Sequence, residues 1–172
     1  HALASYNGEL YAGGGFGTFP PYNVARWNGS QWLSVFGGLG TSIASAGARA
    51  PVMALHVHQG SLYAAGAFQT SNAPPFGIVS VARLNPATGW EAVGSGLGGG
   101  ATSTVIQSLA SDGDDLLAVG RMLGLSPNLE GQVARWNGST WTGTLTGFNS
   151  VPLNSVARVN GELLVGSDSL RL

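Results

Sequence analysis

The sequence predicts an all-β fold built from a repeated four-stranded unit. Three observations predict it. A short motif recurs about every fifty residues, Asn-Gly dipeptides sit between short apolar runs, and no stretch keeps a helical apolar period over three turns. The motif Val24-Ala25-Arg26-Trp27-Asn28-Gly29 returns as Val81-Ala82-Arg83-Leu84-Asn85-Pro86 and as Val133-Ala134-Arg135-Trp136-Asn137-Gly138, at spacings of 57 and 52 residues. A second motif, Asn7-Gly8-Glu9-Leu10-Tyr11-Ala12-Gly13-Gly14, returns at Gln59–Gly66, Gly113–Gly120 and Asn160–Gly166. Its leucines, Leu10, Leu62, Leu116 and Leu163, lie 52, 54 and 47 residues apart.

Each unit reads as four strands. The first alternates in Ala2–Tyr6, Met53–His58 and Gln107–Ser111. Asn7-Gly8 and Asn160-Gly161 then turn the chain, because a type I′ hairpin needs positive φ at both central residues. The second strand is Leu10–Gly14 and its copies. A longer loop leads to the third, Asn23–Trp27, and Asn28-Gly29 turns it into the fourth, Gln31–Phe36. In the second unit Asn85-Pro86-Ala87-Thr88-Gly89 replaces the tight turn. Four strands per unit of about fifty residues is the pattern of a β-propeller blade. The whole chain, 1–172, reads as one propeller segment: blade 1 about 1–52, blade 2 about 53–106, blade 3 about 107–153, and a partial blade 4 about 154–172.

The residues resemble the kelch-type blade, and more closely the kelch-like propeller repeats of bacterial secreted and surface proteins. Leu10-Tyr11-Ala12-Gly13-Gly14 matches the double-glycine strand, and Trp27 with Trp32, or Trp136 with Trp141, matches the paired aromatics. The glycine pair is complete only in the first unit, and an Arg-Trp-Asn-Gly turn replaces the family's Tyr-Asp turn. The resemblance implies an architecture and carries over no functional residue. The copper-oxidase chemistry of that class needs a Cys cross-linked to a Tyr, and this sequence has no Cys. The Asp-box pattern of propeller sialidases is also absent.

Composition narrows the function. Of 172 residues 9% are charged, with a net charge of -1, which is a poor footprint for nucleic acid. Zero Cys rules out a disulfide scaffold, a thiolate metal site and a cysteine nucleophile. No apolar run reaches the ~18 residues of a membrane helix. The sequence begins at His1 without a basic segment followed by an apolar one, so either a signal was removed or this is a piece of a longer chain. A Lys-free, Gly/Ser/Thr-rich surface leans toward an extracellular or cell-surface location.

Few residues suggest chemistry. Glu9 and Glu162, and the cluster Asp112, Asp114 and Asp115, fall on the same repeat turn, where Asp and Gly are favoured. Asp112-Gly113-Asp114-Asp115 offers oxygens to a hard cation but lacks the spacing of an EF-hand. His56 and His58 share a strand face as the start of a metal site, or as packing residues; no third ligand recurs in the copies, and neither a metal nor a cofactor is expected. Arg26, Arg83 and Arg135 recur in every complete unit. They are expected between blades, bonding loop carbonyls or a carboxylate of the neighbouring blade, or else forming a ring of cations. Asn28-Gly29-Ser30 and Asn137-Gly138-Ser139 fit the glycosylation pattern and equally a hairpin turn. No Ser-His-Asp set and no phosphate loop can be argued.

Tight turns alternate with long loops, so one face is flat and the other elaborate. The long-loop face is expected to bind a protein or carbohydrate through Phe16, Phe19, Tyr22, Phe68, Phe76 and Phe148. The expected function is a non-catalytic extracytoplasmic propeller module, acting as a binding or structural scaffold. The alternatives are a structural subunit of a cell-surface assembly or filament, and a fragment of a propeller hydrolase or lyase whose catalytic residues lie elsewhere. Trp27, Trp32, Trp136 and Trp141 are expected to be largely buried. Three blades and a hairpin do not close a ring, so the partners expected are further blades of the same chain or neighbouring copies.

Overall fold

The computed structural model describes residues 1–16, 23–40, 51–69, 77–97, 104–122, 132–145, 151 and 153–167. Fourteen strands are formed and no helix is present among the described residues. The first sheet contains β1 (Ala2–Tyr6), β2 (Glu9–Gly13), β3 (Val24–Trp27) and β4 (Trp32–Ser34). The second contains β5 (Val52–His58), β6 (Ser61–Gln69), β7 (Val79–Asn85) and β8 (Gly89–Ala92). The third contains β9 (Val105–Asp112), β10 (Asp115–Arg121), β11 (Gln132–Trp136) and β12 (Trp141–Leu145), and the fourth has β13 (Leu153–Val159) and β14 (Glu162–Ser167). Among the described residues every sheet is antiparallel and each strand pairs only with its sequence neighbours. No described helix is long and apolar enough to cross a membrane.

The turns follow the sequence. Asn7 and Gly8 take φ of 50° and 77°, and Asn160 and Gly161 take 51° and 84°, the left-handed pair that a two-residue hairpin requires. Gln59 and Gly60 do the same at 45° and 71° without the Asn. At the next turn of the hairpin pattern, Asn28 Oδ1 accepts from the backbone N–H of Ser30 and Gln31, each at 3.0 Å, and Asn137 Oδ1 does so from Ser139 and Thr140. Both glycosylation-like tripeptides thus have a structural use.

Alternation along each strand gives every sheet two faces. One, the leading face, points to the preceding sheet and the other, the trailing face, to the following one. Tyr6, Tyr11, Val24 and Val35 on the trailing face of the first sheet bury against Leu62 and Leu84 on the leading face of the second. Tyr63, Val81 and Val93 then meet Leu116, Trp136 and Trp141 of the third. Leu117, Val119 and Val133 meet Val156, Leu163 and Val165 of the fourth. The first strands β1, β5, β9 and β13 lie successively side by side. The same hydrogen bond recurs at two of these joints. The indole N–H of Trp90 donates to the Val35 carbonyl (3.1 Å), and that of Trp141 donates to the Val93 carbonyl (2.9 Å).

Of the four motif tryptophans, Trp32 is 46% exposed, contrary to expectation, and Trp27, Trp136 and Trp141 are partly buried. Trp136 and Trp141 are partly covered because the second sheet packs on them. Trp27 and Trp32 lie with Leu3 and Leu10 on the leading face of the first sheet, where no described sheet packs. Leu3 is 66% exposed there, whereas Leu62 and Leu116, the counterparts of Leu10, are fully buried.

Candidate functional site

A cleft of about 420 Å³ opens between the first two sheets, beside the Asn7–Gly8 turn. Its walls include Tyr6, Tyr11, Glu9 and Arg26 of the first sheet and Leu84 of the second, with Phe36 at its rim. Its lining runs from the Asn7–Gly8 and Pro86 turns to Ser34, Val35 and Phe36 at the far end of β4.

The cleft exists because the repeat is broken there. At the next joint Trp136 fills the matching space, and its ring lies 2.6 Å from where a Cβ at Gly94 would stand, so glycine is what makes room for it. At this joint Leu84 replaces that tryptophan and Phe36 replaces that glycine. Phe36 adopts a left-handed φ of 49° and packs over Gly89, where an added Cβ would lie 3.2 Å from its ring. The smaller Leu84 and the displaced phenyl ring leave the volume open.

Tyr6 and Tyr11 meet edge to face with ring centroids 5.8 Å apart. The Arg26 guanidinium donates to the Glu9 carboxylate beside them. Burial, reinforced by the Glu9 charge, pushes the Tyr11 phenol above its ordinary pKa, with Arg26 opposing. The phenol therefore stays protonated at neutral pH and can both donate and accept.

The three repeated arginines all sit on trailing faces, but each takes a carboxylate of its own sheet. Arg26 pairs with Glu9, Arg83 with Glu91 at 2.9 Å, and Arg135 with Asp112 and Asp115 at 2.5 Å each. This corrects the expected pairing with the neighbouring blade. Glu91 stands directly across the ladder from Arg83, while Glu9 and Asp115 stand two residues along the paired strand from the positions opposite Arg26 and Arg135, on the same face of the same sheet. The Glu91 carboxyl is held below its usual range by its hydrogen bond from Arg83, then by Asn85 and Thr88. The Arg83 and Arg135 guanidiniums are correspondingly raised, each first by its hydrogen-bonded carboxylate. The pairing that does cross a joint comes from a different residue, with Arg158 Nε 3.3 Å from Asp112.

His56 and His58 project from β5 onto one hydroxyl of the third sheet. Nε2 of His56 and Nδ1 of His58 each lie 2.8 Å from Ser111 Oγ, and Nε2 of His58 lies 3.1 Å from the Asp114 carbonyl. Among the described residues no three His, Cys, Asp or Glu side chains come together in a way that could hold a metal ion. Asp112 and Asp115 are engaged by arginine, and the Asp114 carboxylate accepts from Gln59 at 3.1 Å.

The loop aromatics divide. Phe68 is 1% exposed, inside the core between the first two sheets, and so cannot be a surface contact. The strand β6 runs on to Gln69 and carries Phe68 inward, so Phe68 does not belong to the long-loop face on which it was expected. Phe16 is exposed, with its N–H on Asn23 Oδ1 at 3.2 Å. Phe19, Tyr22, Phe76 and Phe148 lie outside the described residues. Sequence reading missed Tyr6, Tyr11 and Phe36 as a group. The visible signal was the single Leu84 in a motif that elsewhere ends in tryptophan.

No family model and no curated protein matches the chain. Its fold is similar to a solved structure of YjhT, with a TM-score of 0.54 and 16% identity, over 95% of this chain and 57% of that one. The chain therefore spans under two thirds of that protein's length, and at this identity the likeness is one of fold alone.

Proposed function

We propose that the chain is a kelch-like β-propeller segment that serves as a non-catalytic scaffold outside the cytoplasm, its end faces taking further blades or neighbouring copies. The observation that carries this reading is the repeated joint. Leading-face positions that are buried or half-buried at the second and third sheets stand exposed at the first, as Leu3, Leu10 and Trp32. The trailing face of the fourth sheet is likewise open, with Leu164 50% exposed and Val159 47%. Two half-joints of opposite hand are what a head-to-tail array of blades presents. The rival enzyme reading needs carboxylates or the histidines converging on a reacting group. Asp112 and Asp115 are instead bound to Arg135, and the two imidazoles converge on a hydroxyl that they use to join two sheets.

Sedimentation of the 172-residue polypeptide tests the proposal. Self-association is expected, and Trp32→Glu or Leu10→Glu is expected to reduce it by placing a charge on the joint. A monodisperse monomer with a cooperative melt, unchanged by either substitution, overturns it.

A further inference from the structure

We propose that the cleft between the first two sheets binds an uncharged sugar ring. The inference is independent of what covers the end faces. In a repeat protein, packing requirements recur from unit to unit, so a feature that occurs once is not needed to stack the sheets. Among the described residues the break at Leu84 and Phe36 is such a feature, although Tyr11 and the arginine–acid pair beside it recur in other units. Leu84 stands where the other copies have tryptophan, Phe36 where the next joint has Gly94, and Tyr6 where the later copies have His58, Asp112 and Val159. The cleft's volume of about 420 Å³ lies within the roughly 300–1,000 Å³ of small-molecule pockets.

The lining chemistry selects the ligand class. Phe36, exposed at the rim, offers aromatic surface to the C–H face of a pyranose, while Tyr6 and Tyr11, whose rings are buried, line the cleft wall. Arg26 and Glu9, already paired, set several N–H donors beside carboxylate oxygens. Adjacent hydroxyls each donate and accept, so a diol can bridge such a pair without disturbing its neutrality. A carboxylated sugar would lose that match, since Arg26 is already neutralised and Glu9 repels it. The ligand is therefore a neutral pyranose with a vicinal diol.

The test is titration of the 172-residue chain, by calorimetry and saturation-transfer NMR, with glucose, galactose, N-acetylglucosamine, cellobiose and glucuronate. At least one neutral sugar is expected to bind with a Kd of about 1 mM or below. Leu84→Trp combined with Phe36→Gly restores both residues of the next joint and fills the cleft; it is expected to weaken binding at least about tenfold with the melting temperature retained. Phe36→Ser, at an exposed rim position, is expected to weaken it in the same direction and serves if the double variant unfolds the chain. No binding by any neutral sugar, preference for glucuronate, or binding unchanged in the well-folded variants overturns the proposal.

Discussion

Ser111 has one hydroxyl proton and two imidazole neighbours, and this fixes the direction of every bond around it. The Asp114 carbonyl only accepts, so His58 carries its proton on Nε2 and presents Nδ1 as an acceptor. Ser111 must then donate to His58, and His56 must donate to Ser111. Burial, and then the nearby His58, lowers the His56 pKa below its ordinary value. A histidine with a lowered folded-state pKa takes up protons more readily when unfolded, so stability is full above the unfolded pKa of ~6.5 and falls as pH drops through it. The melting temperature is expected to decline between about pH 7 and pH 5, and His56→Gln is expected to flatten that decline; equal slopes in both proteins would show that His56 is not its source. The sequence made the shared face of His56 and His58 legible through their spacing. It left Ser111 hidden, because that partner sits a full repeat away and is chosen by the stacking of two sheets. The arginines teach the same lesson. Their recurrence marked them as structural, while the choice between an acid of the same sheet and one of the next depended on ladder register.

At the scale of the element, glycines of the same motif do different work. Gly8 closes a hairpin at φ 77° with nothing near the position of a Cβ, so Gly8→Ala carries only left-handed strain, about 1–2 kcal/mol. Gly66 and Gly120 sit where the ladder register shifts, and an added Cβ would stand 2.1 Å from the carbonyl oxygens of Pro51 and Val105 respectively. Backbone must move to admit it, so Gly66→Ala and Gly120→Ala are expected to cost about 3 kcal/mol or more. Denaturant melts of the three variants check the order; a Gly8 variant as damaged as the others would show that the close approach is not the constraint. Strand order was legible throughout, because turn chemistry and alternation are local. Strand ends were less so. The fourth strand is limited to Trp32–Ser34 where Gln31–Phe36 was expected, since Phe36 leaves the ladder to cover Gly89.

For the molecule as a whole, the indole joints compare like with like. Trp90→Phe removes the donor to a carbonyl of the preceding sheet and is expected to cost about 1–3 kcal/mol, while Trp32→Phe in the unassociated chain should change stability by less than about 0.5 kcal/mol. Thermal melts at concentrations below association distinguish them, and equal losses would mean that the Trp32 indole N–H has an acceptor in addition to the ring's contact with Trp27. Burial of Trp32 was misjudged from sequence because exposure belongs to the stack: the same side chain is covered or bare according to what lies in front of its sheet.

Because every described strand pairs only with its sequence neighbours, each hairpin closes a short stretch of chain and little loop entropy is lost before contacts form. Cooperativity then passes along the stack through nearest-neighbour joints, as in a one-dimensional array. The middle sheets are held from both sides, whereas the two-stranded β13–β14 unit is held from one. Amide exchange should therefore be slowest in β6, β7 and β10 and fastest in β13 and β14, with opening that travels inward from that end; uniform protection across all four sheets would mean that the molecule unfolds as one block.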